Sequence, residues 1–330
     1  MEPQQASLLP KPMKTWAKWV FRHLYQIRAD SPSVAVLTFH EIHPDSSYTP
    51  LMFEMFLATL ARRVEFLTLS EACARLRERR PWARDAVVLT FDDGLRSQFV
   101  HAYPLLQRYQ AKATFFAVPG LMTERRWLWN HEALVRLEGT PAEDLPELPG
   151  LAGCRESQPG SQARQQCAGE VVEQLKRSPE PQRQYILGAL RAVHPDLLRH
   201  HPLTDRYDLM TWDDLRCLDA ELVEIGSHSY THAILQGLPG HRLEQEVRAS
   251  RLVLEQHLGR PVTSFCYPNG DYDDATLYWV RRCYDQAVTV AQEVAACPFD
   301  FHQLPRVWVS ADHEDTLFRL ARYHWTLQQC

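Results

Sequence analysis

The chain has 330 residues, 45% of them hydrophobic and 23% charged, with a formal net charge of −5. That is ordinary for a folded protein with one large core and too little positive charge for a general attraction to nucleic acid or an anionic membrane. The 8 Cys show no CxxC and no disulfide-framework spacing. They read as reduced, mostly buried thiols, and with no apolar leader and no run long enough to span a bilayer the expected location is cytoplasmic.

Residues 1–12 read as a polar tail. Met13 to Leu24 forms a short amphipathic helix with Trp16, Trp19, Val20 and Leu24 on one stripe. Its basic residues allow peripheral membrane contact; packing on the rest of the fold is the bland alternative. From about residue 31 one domain is expected. Val34–Phe39 is strand-like, Phe53–Arg63 helical, Val64–Thr68 strand-like, and Glu71–Arg80 a helix capped by Ser70. A buried strand then ends in Thr90-Phe91-Asp92-Asp93-Gly94, followed by a helix over Ser97–Tyr109 and a strand over Ala113–Val118. Such alternation with short joins is the mark of a parallel sheet or barrel.

Neighbouring side chains on a strand face opposite ways, so Asp92 and Asp93 can share a site only past the strand's end, where Gly94 permits a sharp turn. Two carboxylates at one tip can divide the labour of holding a cation and accepting protons. The bland alternative is a helix N-cap.

Between about 121 and 207 the alternation stops. A Pro-, Gly-, Glu- and Ser-rich loop (141–160) lies between helical stretches near Trp127–Leu137 and Cys167–Leu190. This reads as an insertion, a lid or substrate-length gauge on one view and a helical elaboration on the other. Trp127 and Trp129 are read as packing residues rather than sugar platforms. Alternation resumes with a helix at Asp213–Leu218 and a strand at Leu222–Gly226, which runs into His228-Ser229-Tyr230-Thr231-His232. Of 15 His, only His228 and His232 stand four apart, a spacing that suits two imidazoles on one metal ion. A long helix (Arg242–Leu258), strands at Thr263–Tyr267 and Ala287–Val290, a helix at Asp273–Tyr284, a last strand-like run at Leu304–Val309 and a helix at His313–Trp325 complete about eight strand-like runs, a barrel's number.

Three motifs in order resemble those of the polysaccharide deacetylases, the NodB-homology or carbohydrate esterase family 4 group. They are Thr90–Gly94, His228–His232, and Phe265-Cys266-Tyr267-Pro268-Asn269-Gly270, the last similar to a variant third motif. The resemblance spans roughly residues 34–310. It implies a distorted (β/α) barrel and a metal-dependent hydrolase that removes N-acetyl groups from an amino-sugar oligo- or polysaccharide, or from its lipid-linked precursor. It further implies Asp92 as base, and Asp93, His228 and His232 as ligands of zinc or another divalent transition metal, a donor set that leaves a position open. Tyr267, Pro268 and Asn269 form the substrate and oxyanion segment, with the backbone N–H of Asn269 as donor. Ser229 and Thr231 are expected to hold the ligand loop through local hydrogen bonds.

Two departures stand out. Cys266 occupies the place of the family's acid-orienting arginine, for which the resemblance offers Arg306, in Leu304-Pro305-Arg306, as the expected replacement. The family's Leu-X-His general acid is missing. His40, closing the first strand, is the candidate, ahead of His302 and His313. Alternatives are a deformylase or other deacylase of a lipid-carried amino sugar, and a non-catalytic carbohydrate-binding pseudoenzyme, against which the intact Asp92 argues. A metal phosphoesterase would call for more ligands and a basic pocket.

Overall fold

The computed structural model describes residues 34–80, 83–148, 150–200, 204–291 and 300–309. The predicted helices at 13–24 and 313–325 lie outside them. Two compact units divide the chain, one comprising Arg126–Asp208 and the other the segments on either side of it.

The larger unit is built on strands β1 (Val34–Phe39), β2 (Glu65–Phe66), β3 (Ala86–Phe91), β4 (Ala113–Ala117), β5 (Val223–Ser227), β6 (Ser264–Cys266), β7 (Gln286–Val288) and β8 (Val307–Trp308). All pairings between them are parallel, in the order β7-β6-β5-β4-β3-β1-β8, with β2 beside the first residues of β3. One segment links the two edges. Leu304 donates to Ala287 O (3.0 Å) and Arg306 to Ala291 O (3.2 Å), extending β7, while Val307 pairs with Leu37 of β1. The sheet thereby curls into the expected distorted barrel.

Period-two alternation sorts the side chains. Val34, Val36, Ala86, Val88, Phe116, Cys266, Val288 and Leu304 pack together in one cluster. The opposite parity meets the helices: Phe39 and Phe91 stack on each other (5.0 Å) and against Phe53 of the helix Pro50–Leu60. Each such ring contributes on the order of 2 kcal/mol by its burial. Burial on both faces explains why these strands read as continuous apolar runs.

Most helices start one to three residues from their predicted positions. The helix Leu69–Arg77 is capped by Thr68 rather than Ser70, because Thr68 and Glu71 form a reciprocal capping box. Below the core, Thr114 Oγ1 and Ser70 N donate to one oxygen of Glu224 (3.0 Å each) and Ser264 Oγ to the other. This polar plug satisfies the helix's first turn.

The smaller unit is helical, with helices Trp129–Gly139, Ala152–Arg155, Gln162–Lys176, Glu180–Val193 and Thr204–Tyr207. The helical stretch expected near 167–190 consists of two helices, with Pro179 starting the second. Trp127 and Trp129 are both buried, and Trp127 Nε1 donates to Asp208 (2.7 Å). The Sγ atoms of Cys154 and Cys167 lie 2.6 Å apart, so these two of the expected separate thiols are in contact. Among the described residues no helix is long and apolar enough to cross a membrane.

Candidate active site

The strand ends that gather at the C-terminal rim of the barrel carry the motif residues, as parallel barrels generally arrange them. Asp92 continues the inward parity of Val88 and Thr90, and its N–H donates to Phe39 O (3.0 Å), extending the β1–β3 pairing by one step. Asp93 (φ 76°) and Gly94 (φ 64°) then both turn left-handed. That reversal lets two adjacent carboxylates face one site. A side chain at Gly94 would stand 3.1 Å from Ala117 Cα, so the turn also needs the missing Cβ.

β5 delivers the histidines in the same way. The His228 N–H donates to Ala117 O (2.9 Å), and Ser229 (φ 64°) and His232 (φ 56°) are left-handed. Tyr230 lies flat on Gly120, where a Cβ would come within 2.5 Å of the Tyr230 carbonyl. Four of the seven left-handed non-glycine residues described, Asp93, Ser229, His232 and Asn269, fall in the three motifs. Such backbone costs about 1 kcal/mol or more per residue and collects at functional sites.

His228 Nε2 lies 3.6 Å and His232 Nε2 3.2 Å from the same oxygen of Asp93, and all three residues are buried. Two donors ~2.1 Å from a tetrahedral ion stand ~3.4 Å apart, so these separations fit one zinc-sized ion. His228 Nδ1 donates to Cys266 O (2.8 Å), which leaves its Nε2 lone pair for the cluster. Burial alone would raise the Asp93 pKa; the two imidazoles beside it hold it well below the carboxylate range. The donor set therefore fits a divalent transition metal.

Arg306 closes the other side. Its two terminal nitrogens grip the two oxygens of Asp92 at 2.7 Å each, Nε donates to Thr289 O (2.8 Å), and Nη1 to Thr90 Oγ1 (3.0 Å). Burial pushes the Asp92 pKa up, but the Arg306 charge outweighs it and holds the carboxyl at about 2. Cys266 Sγ sits 3.2 Å from Nη2, and burial raises its thiol pKa. Asp92, His228 and Cys266 also converge closely enough to suggest a second cation site. The guanidinium already resting on Asp92 and Cys266 repels a cation there.

His40 stands at the mouth, its Nε2 3.9 Å from Asp92 and its ring 5.9 Å from that of Trp308, which is 41% exposed. Pro268–Gly270 form a tight turn with Asn269 at φ 58°, and the Asn269 amide is engaged by Asp271. Tyr267 offers the site no side chain: it is fully buried and its hydroxyl donates to His302 O (2.9 Å). The His302 ring is occupied by Tyr284 O (2.9 Å), next to the N-terminal end of β7. His313 lies outside the described residues.

The local hydrogen bonds expected of Ser229 and Thr231 are not those formed. Ser229 Oγ is buried without a hydrogen-bond partner among the described residues, and Thr231 bonds instead to Glu246, 15 positions away. Sequence reading missed Glu246, and also Gln98, whose buried amide donates to His40 O (2.9 Å) and to Asp92 O. Neither has a local signal, since each acts across the fold.

A family model for polysaccharide deacetylase matches residues 79–143 and 168–287, more than half of the chain. No curated protein matches. Among solved structures, deacetylase PplD of Streptococcus pyogenes, in complex with acetate, has 18% identity over 87% of this chain and 96% of its own, with a TM-score of 0.58. IcaB from Ammonifex degensii has 19% identity over 88% and 97%, TM-score 0.56. A de-N-acetylase from Aggregatibacter actinomycetemcomitans has 15% identity over 86% and 99%, TM-score 0.52. At these identities the likeness is one of fold.

Proposed function

Because this chain belongs to the polysaccharide deacetylase family, we propose that it hydrolyses the N-acetyl amide of an amino sugar, in a polysaccharide, an oligosaccharide or a lipid-linked precursor. One divalent metal ion would be held by Asp93, His228 and His232. The observation that carries this reading is the pairing of a buried, arginine-gripped Asp92 with that donor cluster. A binding protein has no need of an ionised carboxylate held beside three metal donors.

When bound, such an ion polarises the amide carbonyl and acidifies water, zinc bringing the water pKa toward ~7. Arg306 keeps Asp92 ionised and aimed inward, so that it accepts the proton of the attacking water. A carboxyl held at about 2 is a weak base, so its task is to take that proton as the new carbon–oxygen bond forms. The backbone N–H of Asn269, in its left-handed turn, is the donor proposed for the developing oxyanion. Collapse breaks the carbon–nitrogen bond, and the leaving amine takes a proton. His40, beside Asp92 and half open to solvent, is our candidate to deliver it. Products are acetate and the free amino sugar. The cytoplasmic location expected from the sequence would suit a lipid-linked precursor.

Product analysis on N-acetylglucosamine oligomers tests this directly. Acetate and primary amine should appear in equal amounts, and only with Asp92 intact. Formate from an N-formyl substrate, without acetate from any N-acetyl one, would move the assignment to deformylation.

A further inference from the structure

The loop Ser227–His232 carries two of the three proposed ligands in a backbone that its own side chains do not stabilise. Ser229 and His232 are left-handed, and Ser229 Oγ has no hydrogen-bond partner among the described residues. The restraint comes from one helix face. Ser250 Oγ lies 2.5 Å from Ser227 Oγ, in the residue before His228. One turn earlier, Glu246 takes Thr231 with both oxygens, Oε2 accepting from the Thr231 N–H (2.8 Å) and Oε1 from its hydroxyl (2.6 Å), in the residue before His232. Glu246, Ser250 and Ser227 are all fully buried.

The two histidines are not supported alike. The His228 ring is fixed by the Cys266 carbonyl, whereas His232 Nδ1 is buried with no hydrogen-bond partner among the described residues. Away from its Nε2 contact with Asp93 (3.2 Å), the orientation of His232 is set through its backbone. Glu246 is the group that holds that backbone. It sits in a π-helical stretch, Glu244–Ala249, followed directly by the helix Ser250–Leu258, with Arg242 Nη2 3.4 Å from Oε1 and the Tyr284 hydroxyl donating to Val247 O (2.9 Å). π-bulges of this kind recur at functional sites. A buried carboxyl group is costly unless it is well partnered, and here the partners are Thr231 of the loop and, more distantly, Arg242.

We infer that Glu246 is a positioning residue for the metal cluster, fixing His232 through Thr231 in place of a direct hydrogen bond to the ring. This rests on the metal-site reading of Asp93, His228 and His232. The test measures zinc affinity of the full chain by competition with a chromophoric chelator, alongside thermal melting of the metal-free protein. Glu246→Gln keeps the shape but loses one of two acceptors. Its zinc Kd should rise about 10–100-fold, the usual effect of losing such outer support. Thr231→Val should weaken zinc several-fold, and Thr231→Ser, which keeps the hydroxyl, should restore it. A purely structural role would lower the melting temperature and leave zinc affinity unchanged. A folded Glu246→Gln chain binding zinc within about twofold of wild type would overturn the inference. Should Glu246→Gln not fold, wild-type affinity in Thr231→Val would do the same. A wild-type chain that binds no zinc would instead overturn the metal site itself.

Discussion

Arg306 and Asp92 stand 214 positions apart in the chain and meet as a buried two-point ion pair, with both nitrogen–oxygen distances at 2.7 Å. The pairing follows from the way the sheet closes. The segment carrying Arg306 bonds first to β7 and then to β1, and this brings the guanidinium in under the rim, beside the carboxylate that β3 delivers. Thr90 on β3 and Thr289 just past β7 complete its seat.

Arg306→Ala should therefore damage both stability and rate. Removing one partner of a buried pair costs roughly 3–5 kcal/mol, read as a fall in the denaturation midpoint. Burial would then act on Asp92 with only the nearby His228 and His40 opposing it, so its pKa should rise and the acid limb of kcat/KM move to higher pH. Arg306→Lys keeps the charge but not the two-point grip and should fall between the two. An Arg306→Ala chain with wild-type rate and an unmoved acid limb would end the orienting role.

Asp92→Asn and His228→Ala should separate proton transfer from metal binding. The first should keep zinc and lose at least ~10²–10⁴ in turnover, the usual worth of a positioned base. The second should lose both, because it removes a ligand. Metal content of the purified variants, set beside their rates, decides the matter.

His40→Ala should lower kcat on the order of 10²-fold while zinc content stays at the wild-type level. The effect should shrink for substrates whose leaving amine is activated by electron withdrawal, since these need less protonation. Equal losses on good and poor leaving groups would argue for a packing role beside Trp308.

The smaller unit has its own pH signature. Burial would raise the pKa of Glu132, but Arg191 and Arg136, at 2.6 and 2.9 Å, outweigh it and lower the value. A depressed folded pKa stabilises above the unfolded value of ~4.3, and that stabilisation is lost as pH falls through the lower folded value. Glu132→Gln should therefore melt earlier than wild type at pH 7, and the gap should close in acid. A gap that stays constant to pH 3 would show the pair to be without net effect.

The sequence disclosed those parts of the site that are local in the chain. Asp92-Asp93-Gly94 and His228-x-x-x-His232 each sit at the end of an apolar run, so type and spacing point to one chemistry. The alternation of strands and helices likewise exposed the barrel. What could not be read depends on contacts across the fold. Glu246 looks like any helical surface acid until its helix is packed against the histidine loop. Gln98 bridges two strand ends, and Cys154 meets Cys167 through a helix pairing without motif spacing. Ser70 was a reasonable cap from its position, but Thr68 won by reciprocity with Glu71. Tyr267 sits within a motif, yet its side chain turns into the core.

Metal-dependent acetate release tests the proposed hydrolysis most directly. The full chain would be stripped with a chelator, reloaded with zinc in steps, and assayed on N-acetylglucosamine oligomers beside Asp92→Asn. Acetate release should rise with zinc and level off at about one ion per chain, while Asp92→Asn binds the same ion and stays silent. Full acetate release by the stripped chain, or by Asp92→Asn, would contradict it.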